Sequence, residues 1–243
     1  MLLVYTHTKR QPMAKLGHFR NPSGHSEFRV FAPEKTSVSV ALLADDMSRA
    51  RESIALTPDS LGYWCAQVPP LPDGTRYLIE IDGQRFPDIA SRSQPDGVHA
   101  ASATAEPERV VSLGWRGVRM EDAVIYELHL GTFTPEGTLA AAQTRLGYLA
   151  ELGITVVELL PIAAFPGTRN WGYDGTYPFA LQADYGSYAD LRAFIEAAHA
   201  LGIAVLLDVV YNHFGPEGNY TAAYGPYTRT AATPWGAAVN LDR

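Results

Sequence analysis

Three apolar runs constrain this chain more than any other feature. They are "AVIYELHL" (123–130), "ITVVELLPI" (154–162) and "IAVLLDVVY" (203–211). Each is a near-continuous hydrophobic stretch of strand length, the pattern of a strand covered on both faces. Helical patterns separate them. "TLAAAQTRLGYLAELG" (138–153) places Leu139, Ala142, Leu146 and Leu149 on one face, and Gly153 closes it. "SYADLRAFIEAAHALG" (187–202) offers Ser187 as N-cap, Asp190 in the first turn and Gly202 after the helix. Buried strands alternating with amphipathic helices predict a parallel sheet. Three strands and two helices leave two architectures open, a doubly wound sheet or an incomplete barrel. No G-x-G-x-x-G follows the first strand, and no phosphate-cradling Walker sequence occurs.

The first part of the chain has another grammar. "EFRVFAP", "SVSVALLA", "GYWCAQVPP" and "TRYLIEIDG" are short strand-like runs punctuated by Pro-Pro, Pro-Asp-Gly and Asp-Gly turns. Their spacing suits a β-sandwich. Asp82-Gly83, between strand-like flanks, predicts a two-residue hairpin. Residues 89 to about 120 are rich in Ser, Ala, Pro and Gly and read as linker and irregular wrapping. The expected organisation is a tail over 1–13, an immunoglobulin-like β-sandwich over 14–105, and α/β structure over 106–243. A (β/α)8 barrel needs about 200 residues or more. The third region can therefore supply only the first part of a TIM barrel, truncated after about three strands.

Composition excludes several functions. The formal charge of −7 leaves no footprint for nucleic acid, and no basic run suits an anionic membrane. Cys65 is the only cysteine, so no internal disulfide forms. It reads as a small packed residue. The N-terminal pattern is a poor signal peptide, and no apolar run is long enough to span a bilayer. A cytoplasmic setting is expected, and the Asn219-Tyr220-Thr221 sequon carries little weight there. His7, His18, His25 and His199 belong to no motif; a surface or interhelix role suits His199.

Ligands in parallel α/β folds collect at the carboxyl ends of the strands. Here those ends bring Glu127 and His129, then Glu158, then Asp208, Asn212 and His213. The loop "TRNWGYDGTYPF" (168–179) adds Trp171, Tyr173, Asp174, Tyr177 and Phe179. Aromatic faces beside amides and carboxylates suit sugars. A loop tied down by its own aromatics is the alternative. Asp208, inside a strand, needs partners such as backbone N–H groups or an arginine if it is structural; the alternative is a catalytic carboxylate, for which no second carboxylate is clearly paired. His213 could bond a substrate, ligate a metal or cap the strand, and no His/Cys/carboxylate set at ligand spacing supports the metal. Strict alternation sends His213 to the face opposite Asp208, unless the strand ends and turns near Tyr211.

"LLDVVYNH" resembles the first signature region of the α-amylase-type glycoside hydrolases. The segments "PDIASRSQPDGVHAAS", "YELHLGTFTPEGT", "ITVVELLPIAAFPGTRNWGYDGTYPFA", "YNHFGPEGNY" and "TPWGAAVNLD" narrow the resemblance to the maltooligosyltrehalose trehalohydrolases, from about residue 14 onward. That resemblance implies a starch-binding-module-like sandwich before a (β/α)8 barrel. It implies hydrolysis of the α-1,4 bond next to the terminal trehalose of maltooligosyltrehalose, supplied by a maltooligosyltrehalose synthase. Tyr173 matches the residue stacked on the reacting glucose, and His213 the residue hydrogen-bonded to it. Trp171 and Asp174 stand beside them as substrate-binding candidates. Asp208 and Asn212 support the site. Neither a metal nor another cofactor is implied, although some α-amylases use an asparagine at the Asn212 position to hold calcium. The nucleophile and general acid are expected beyond Arg243, so no catalytic residue is expected here and the chain alone is expected to be inactive. Branching or debranching enzymes of the same superfamily, or a non-catalytic α-glucan-binding module, are the alternatives.

Overall fold

The computed structural model describes residues 15–44, 47, 49–107 and 110–241. His7 and the expected tail over 1–13 lie outside the described residues. Two antiparallel sheets form the first half. One runs β1 (Gly17–Arg20), β2 (Ser26–Phe31), β6 (Tyr63–Val68) and β5 (Thr57–Pro58). The other runs β4 (Ala50–Ala55), β3 (Val38–Leu43), β7 (Arg76–Ile81) and β8 (Gln84–Phe86), with β9 (Ser102–Ala103) also on β7. Alternation sets the faces: Phe28 and Val30 of β2, and Tyr77, Ile79 and Ile81 of β7, point inward. Trp64 lies in the same core and donates its indole N–H to the Ala32 carbonyl at 2.9 Å. The Asp82-Gly83 turn takes positive φ at both residues, +49° and +83°, as a tight hairpin requires.

The sequence pattern reads residues 89 to about 120 as linker and irregular wrapping, and the structure corrects this for the part up to Thr104. Asp88, Ile89, Ala90, Ser91, Gln94, Val98 and Ala101–Thr104 are buried. Small polar side chains conceal that burial in the sequence because they hydrogen-bond one another. The Asp88 carboxylate accepts from the Tyr77 hydroxyl at 2.8 Å and the Ala90 N–H at 2.9 Å. The Ser102 hydroxyl donates to Gln94 at 2.5 Å and accepts from the Asp88 N–H.

The second half carries three parallel strands in chain order: β10 (Ile125–Leu128), β11 (Val156–Leu159) and β14 (Ala204–Leu207). After β10 come α1 (Leu130–Phe133), α2 (Leu139–Gln143) and α3 (Leu146–Glu151). A hairpin of β12 (Ala163–Ala164) and β13 (Tyr177–Leu181) then leads to α4 (Tyr188–Ala200). Ser187 and Asp190 close a reciprocal capping box on α4. The single helix expected over 138–153 is broken: the N–H groups of Thr144 and Arg145 turn to the i−3 carbonyls of Ala141 and Ala142, separating α2 from α3, and the Thr144 hydroxyl joins the Ala141 carbonyl at 2.7 Å. Leu139, Ala142, Leu146 and Leu149 are all buried, as their spacing predicts. Burial of the outer strands differs from expectation. β10 and β14 are the two edges of this sheet, so Ile125, Leu206 and Leu207 are exposed. β14 also stops at Leu207, short of the predicted Tyr211.

The halves share a core. Beyond α5 (Thr221–Tyr224) a hairpin of β15 (Thr228–Thr233) and β16 (Gly236–Val239) ends the described fold. Tyr220, Tyr224 and Tyr227 pack against the sandwich interior, and Tyr224 donates to the Pro87 carbonyl at 2.6 Å. His199 stacks on Trp115 with ring centroids 4.2 Å apart and meets Ser112, so it joins α4 to the irregular segment before β10 rather than to a second helix. Cys65 is half-buried and meets the Arg29 guanidinium at 3.3 Å. Among the described residues no helix is long and apolar enough to cross a membrane.

Two features give stability predictions. His18 is only 2% exposed; its Nε2 lies 3.0 Å from the Ser26 hydroxyl and its Nδ1 has no partner among the described residues. Burial pushes its pKa down from 6.5 to about 4. The fold thus excludes a proton that the unfolded chain binds. Its contribution is fully present above pH 6.5 and is lost as pH falls towards 4, by roughly 3 kcal/mol in total. Burial raises the Asp88 carboxyl, which acts in the opposite sense. Denaturant unfolding at pH 7.0 and 4.5 should therefore be compared with His18→Leu, whose acid loss will be smaller; equal losses contradict the assignment. Second, Gly172 has φ +98°, and a Cβ there would overlap the Pro161 carbonyl. Gly172→Ala will cost roughly 2 kcal/mol or more in the same measurement.

Candidate functional site

The carboxyl ends of β10, β11 and β14 gather acidic side chains. Glu127 and Glu158 are register partners, and the Asp208 N–H continues the ladder to the Leu159 carbonyl at 2.9 Å. The aromatic loop crosses above them. Tyr173 donates its hydroxyl to the Asp208 carboxylate at 2.8 Å. That bond, followed by desolvation and the charges of Asp208, Glu127 and Glu158, raises the Tyr173 pKa to about 12. Asp208 lies just past the end of β14 and is half-buried rather than inside a buried strand, and its side chain is met by a tyrosine. The phenol stays protonated at neutral pH and serves as a donor. Its ring remains partly open to solvent.

His213 converges on the same residue. Its Nε2 donates to the Tyr173 carbonyl at 3.1 Å, and its Nδ1 lies 2.9 Å from the Asn212 amide oxygen. It is 8% exposed. Strict alternation would have separated it from Asp208; the early end of β14 and the turn that follows bring both to Tyr173. Gly215 permits the turn, since a Cβ there would overlap the Asp174 carbonyl. Asn219, in the sequon, accepts from the Thr221 N–H and hydroxyl and so caps its own turn.

The aromatic loop resolves into two populations. Tyr177 is fully buried and donates to the Val98 carbonyl at 2.6 Å, which ties the loop to the seam segment. Trp171 is 73% exposed. The reading of a loop tied down by its own aromatics holds for Tyr177, while Trp171 leaves its ring in solvent. Asn170 organises the exposed part: its amide oxygen accepts from the Gly172 N–H at 2.7 Å, and its amide nitrogen donates to Asp174 at 2.8 Å. His129 anchors it from the end of β10, with Nε2 2.8 Å from the Asn170 carbonyl and 3.0 Å from the Tyr185 hydroxyl. Sequence reading did not single out Asn170 or Tyr185. The Asn-x-Gly spacing, suited to an Asx turn, was the available signal for Asn170.

The loop separates two cavities. One of 670 Å³ is lined by His129, Thr132, Arg169, Trp171, Tyr173 and Asp174. The other, 480 Å³ and mainly apolar, includes Gly172, Phe179, Asp208, Tyr211 and His213. A third of 540 Å³ at the sandwich seam, with Arg92, Glu106 and Arg192, shares no residue with either. Among the described residues no group of three or more His, Cys, Asp or Glu is placed to hold a metal ion. The arrangement offers aromatic faces, a fixed hydroxyl and carboxylates at the mouth of a sheet, the chemistry that recognises a pyranose.

Comparison with known proteins agrees with this geometry. The family model "Alpha amylase, catalytic domain" matches residues 84–231, and "Carbohydrate-binding module 48 (Isoamylase N-terminal domain)" matches 15–96. The chain is 46% identical over 224 residues to a malto-oligosyltrehalose trehalohydrolase of Rhizobium sp. (strain M-11), covering 90% of this chain and 37% of that protein. It is 43% identical over 222 residues to the enzyme of that name from Saccharolobus solfataricus, covering 88% and 38%. A 1,4-alpha-glucan branching enzyme of Jannaschia sp. is 29% identical over 240 residues, covering 89% and 33%. The crystal structure of a putative alpha amylase from Salmonella typhimurium superposes with a TM-score of 0.86 at 40% identity, over 93% of this chain and 38% of that one. The chain thus spans little more than a third of the length of the curated relatives it matches. The catalytic-domain model covers well over half of the chain, across the very strands and loop that hold Tyr173, Asp208 and His213, and the chain belongs to the alpha-amylase family.

Proposed function

We propose that this chain forms the sandwich and the opening strands of the barrel in a maltooligosyltrehalose trehalohydrolase, domains meeting near residue 105. The whole enzyme cleaves the α-1,4 bond next to the terminal trehalose of maltooligosyltrehalose, releasing trehalose. One observation carries the choice within the family: identity to the trehalohydrolases is 46% and 43%, against 29% to the branching enzyme over a similar span. A synthase that makes the substrate fits upstream, and a cytoplasmic setting fits the lone thiol of Cys65.

Within this reading the chain supplies one wall of the sugar site. Tyr173 stacks on the reacting glucose, and Asp208 fixes its ring through the hydroxyl. His213, supported by Asn212, holds the Tyr173 backbone and borders the sugar. Trp171 and Asp174 extend the contact. Double displacement also needs a nucleophile and an acid about 5–5.5 Å apart across the scissile bond. Glu127 and Glu158 are neighbours along one sheet rather than opposed across a sugar, so the reading assigns both roles to later strand ends. The sandwich acts as scaffold: among its described residues no Trp, Tyr or Phe is exposed, and Trp64 is spent on the core.

Two measurements test this. Purified 243-residue chain will release no trehalose from maltooligosyltrehalose, whereas the protein with a complete barrel will; release by the short chain, or branch formation by the long one, sinks the proposal. In the complete enzyme, Tyr173→Phe keeps the stacking face but loses the bond to Asp208. It will lower kcat/KM roughly tenfold, equivalent to about 1.4 kcal/mol. An unchanged value means that the hydroxyl does not order the site.

A further inference from the structure

We propose that the Asp174-Gly175 peptide is a site of spontaneous modification, where aspartate converts to isoaspartate through a cyclic imide. The reaction needs no enzyme, and its product is the substrate class of carboxyl methyltransferases that act on isoaspartate. The modification does not depend on what the neighbouring site binds.

The chemistry needs only water. The Gly175 nitrogen attacks Cγ of Asp174; the nitrogen gives up its proton, the Cγ–O bond breaks, and one water leaves. A five-membered imide results. Water then adds back at one of the two imide carbonyls. Opening at Cγ restores aspartate. Opening at the main-chain carbonyl leaves the chain running through Cγ, with one extra methylene in the backbone and a new carboxylate beside it. No oxidant or reductant takes part. A glycine after the aspartate favours the attack, because no Cβ hinders the nitrogen.

Four Asp-Gly pairs occur, and all four aspartates are exposed: Asp73, Asp82, Asp96 and Asp174. Two conditions separate them. The glycine nitrogen must be free to turn onto Cγ, and the carboxyl must be free to lose an oxygen as water. An ionised carboxylate held by a cation or by several donors resists that loss. After Asp73, the Gly74 N–H is committed to the Thr104 carbonyl at 2.8 Å. One carboxylate oxygen of Asp82 accepts from the Thr36 N–H and hydroxyl and from the Ser37 N–H, at 3.0, 2.8 and 3.0 Å. Asp96 pairs with the Arg76 guanidinium at 2.9 Å, and the Gly97 N–H closes a turn on the Gln94 carbonyl at 3.3 Å. Asp174 escapes both restraints. Among the described residues its carboxylate meets one neutral amide, that of Asn170, and the Gly175 N–H makes no hydrogen bond.

The product disturbs the candidate site. The Asp174 carbonyl lies where a Cβ on Gly215 would overlap it, and the Gly175 carbonyl accepts from the Gly215 N–H at 3.0 Å. Isomerisation turns the first of these carbonyls into a charged carboxylate and lengthens the backbone between Tyr173 and the second. The turn after β14 is pushed aside, and with it the bond from His213 to the Tyr173 carbonyl.

The test follows isoaspartate at each pair during prolonged incubation of the purified chain at neutral pH, folded in buffer and unfolded in urea. Peptide mapping with electron-transfer fragmentation assigns the position, and methyl transfer by an isoaspartyl methyltransferase counts the total. In urea the four pairs will isomerise at similar rates. In buffer Asp73, Asp82 and Asp96 will slow at least tenfold, whereas Asp174 will keep its rate to within a few-fold. Asp174→Glu, which would have to close a six-membered ring, will remove most of the methyl-accepting signal from the folded chain, with circular dichroism to confirm the fold. Slowing of Asp174 by as much as the other three, or faster reaction at any of them in the folded chain, overturns the proposal.

Discussion

A buried carboxylate fixes the segment against which the second half of this molecule packs. Asp88 is almost wholly removed from water, where an unsatisfied acid would cost several kcal/mol. It is tolerated because the Tyr77 hydroxyl and the Ala90 N–H donate to it. Tyr77 belongs to the sandwich core, and Ala90 to the segment that leaves the sandwich. Satisfying Asp88 therefore fixes the path of residues 87–104. The remaining seam follows from that path: the Pro87 carbonyl receives Tyr224, and the Val98 carbonyl receives Tyr177.

The same device recurs at each joint, a tyrosine hydroxyl donating to an oxygen presented by another element. Tyr177 ties the aromatic loop to the seam, Tyr227 ties the segment before β15 to the Phe31 carbonyl, and Tyr173 ties the loop to Asp208. Each bond pairs a large apolar ring with one polar contact, so burial and direction come from one residue. The candidate site thus inherits its rigidity from the sandwich. Trp171 can be exposed and still be held in place, because its neighbours on both sides are pinned.

Much of the architecture was legible in the sequence, for identifiable reasons. Parallel strands, capped helix α4 and the Asp-Gly hairpin arise from local patterns: apolar runs, a Ser-x-x-Asp box and a turn that needs two positive φ angles. The clustering of Glu127, Glu158, Asp208 and the aromatic loop at strand ends followed from topology alone. Other features were not legible. Ser, Ala and Gln over 89–104 look like linker because their burial depends on partners distant in sequence. The break between α2 and α3 lies where two backbone N–H groups turn to i−3 carbonyls, which the apolar spacing does not mark. The roles of Asn170 and Tyr185 needed the loop and β10 to be placed side by side.

Sequence by itself determined the element types, their order and the family to which the strands and loop belong, since each depends on short-range patterning and motif identity. Tertiary structure decided the partnerships. Asp208 meets a tyrosine, His213 reaches the backbone of that tyrosine, and Tyr177 is core while Trp171 is surface. These are contacts between residues tens of positions apart. Their geometry is set by how the seam packs, and no periodicity along the chain encodes it.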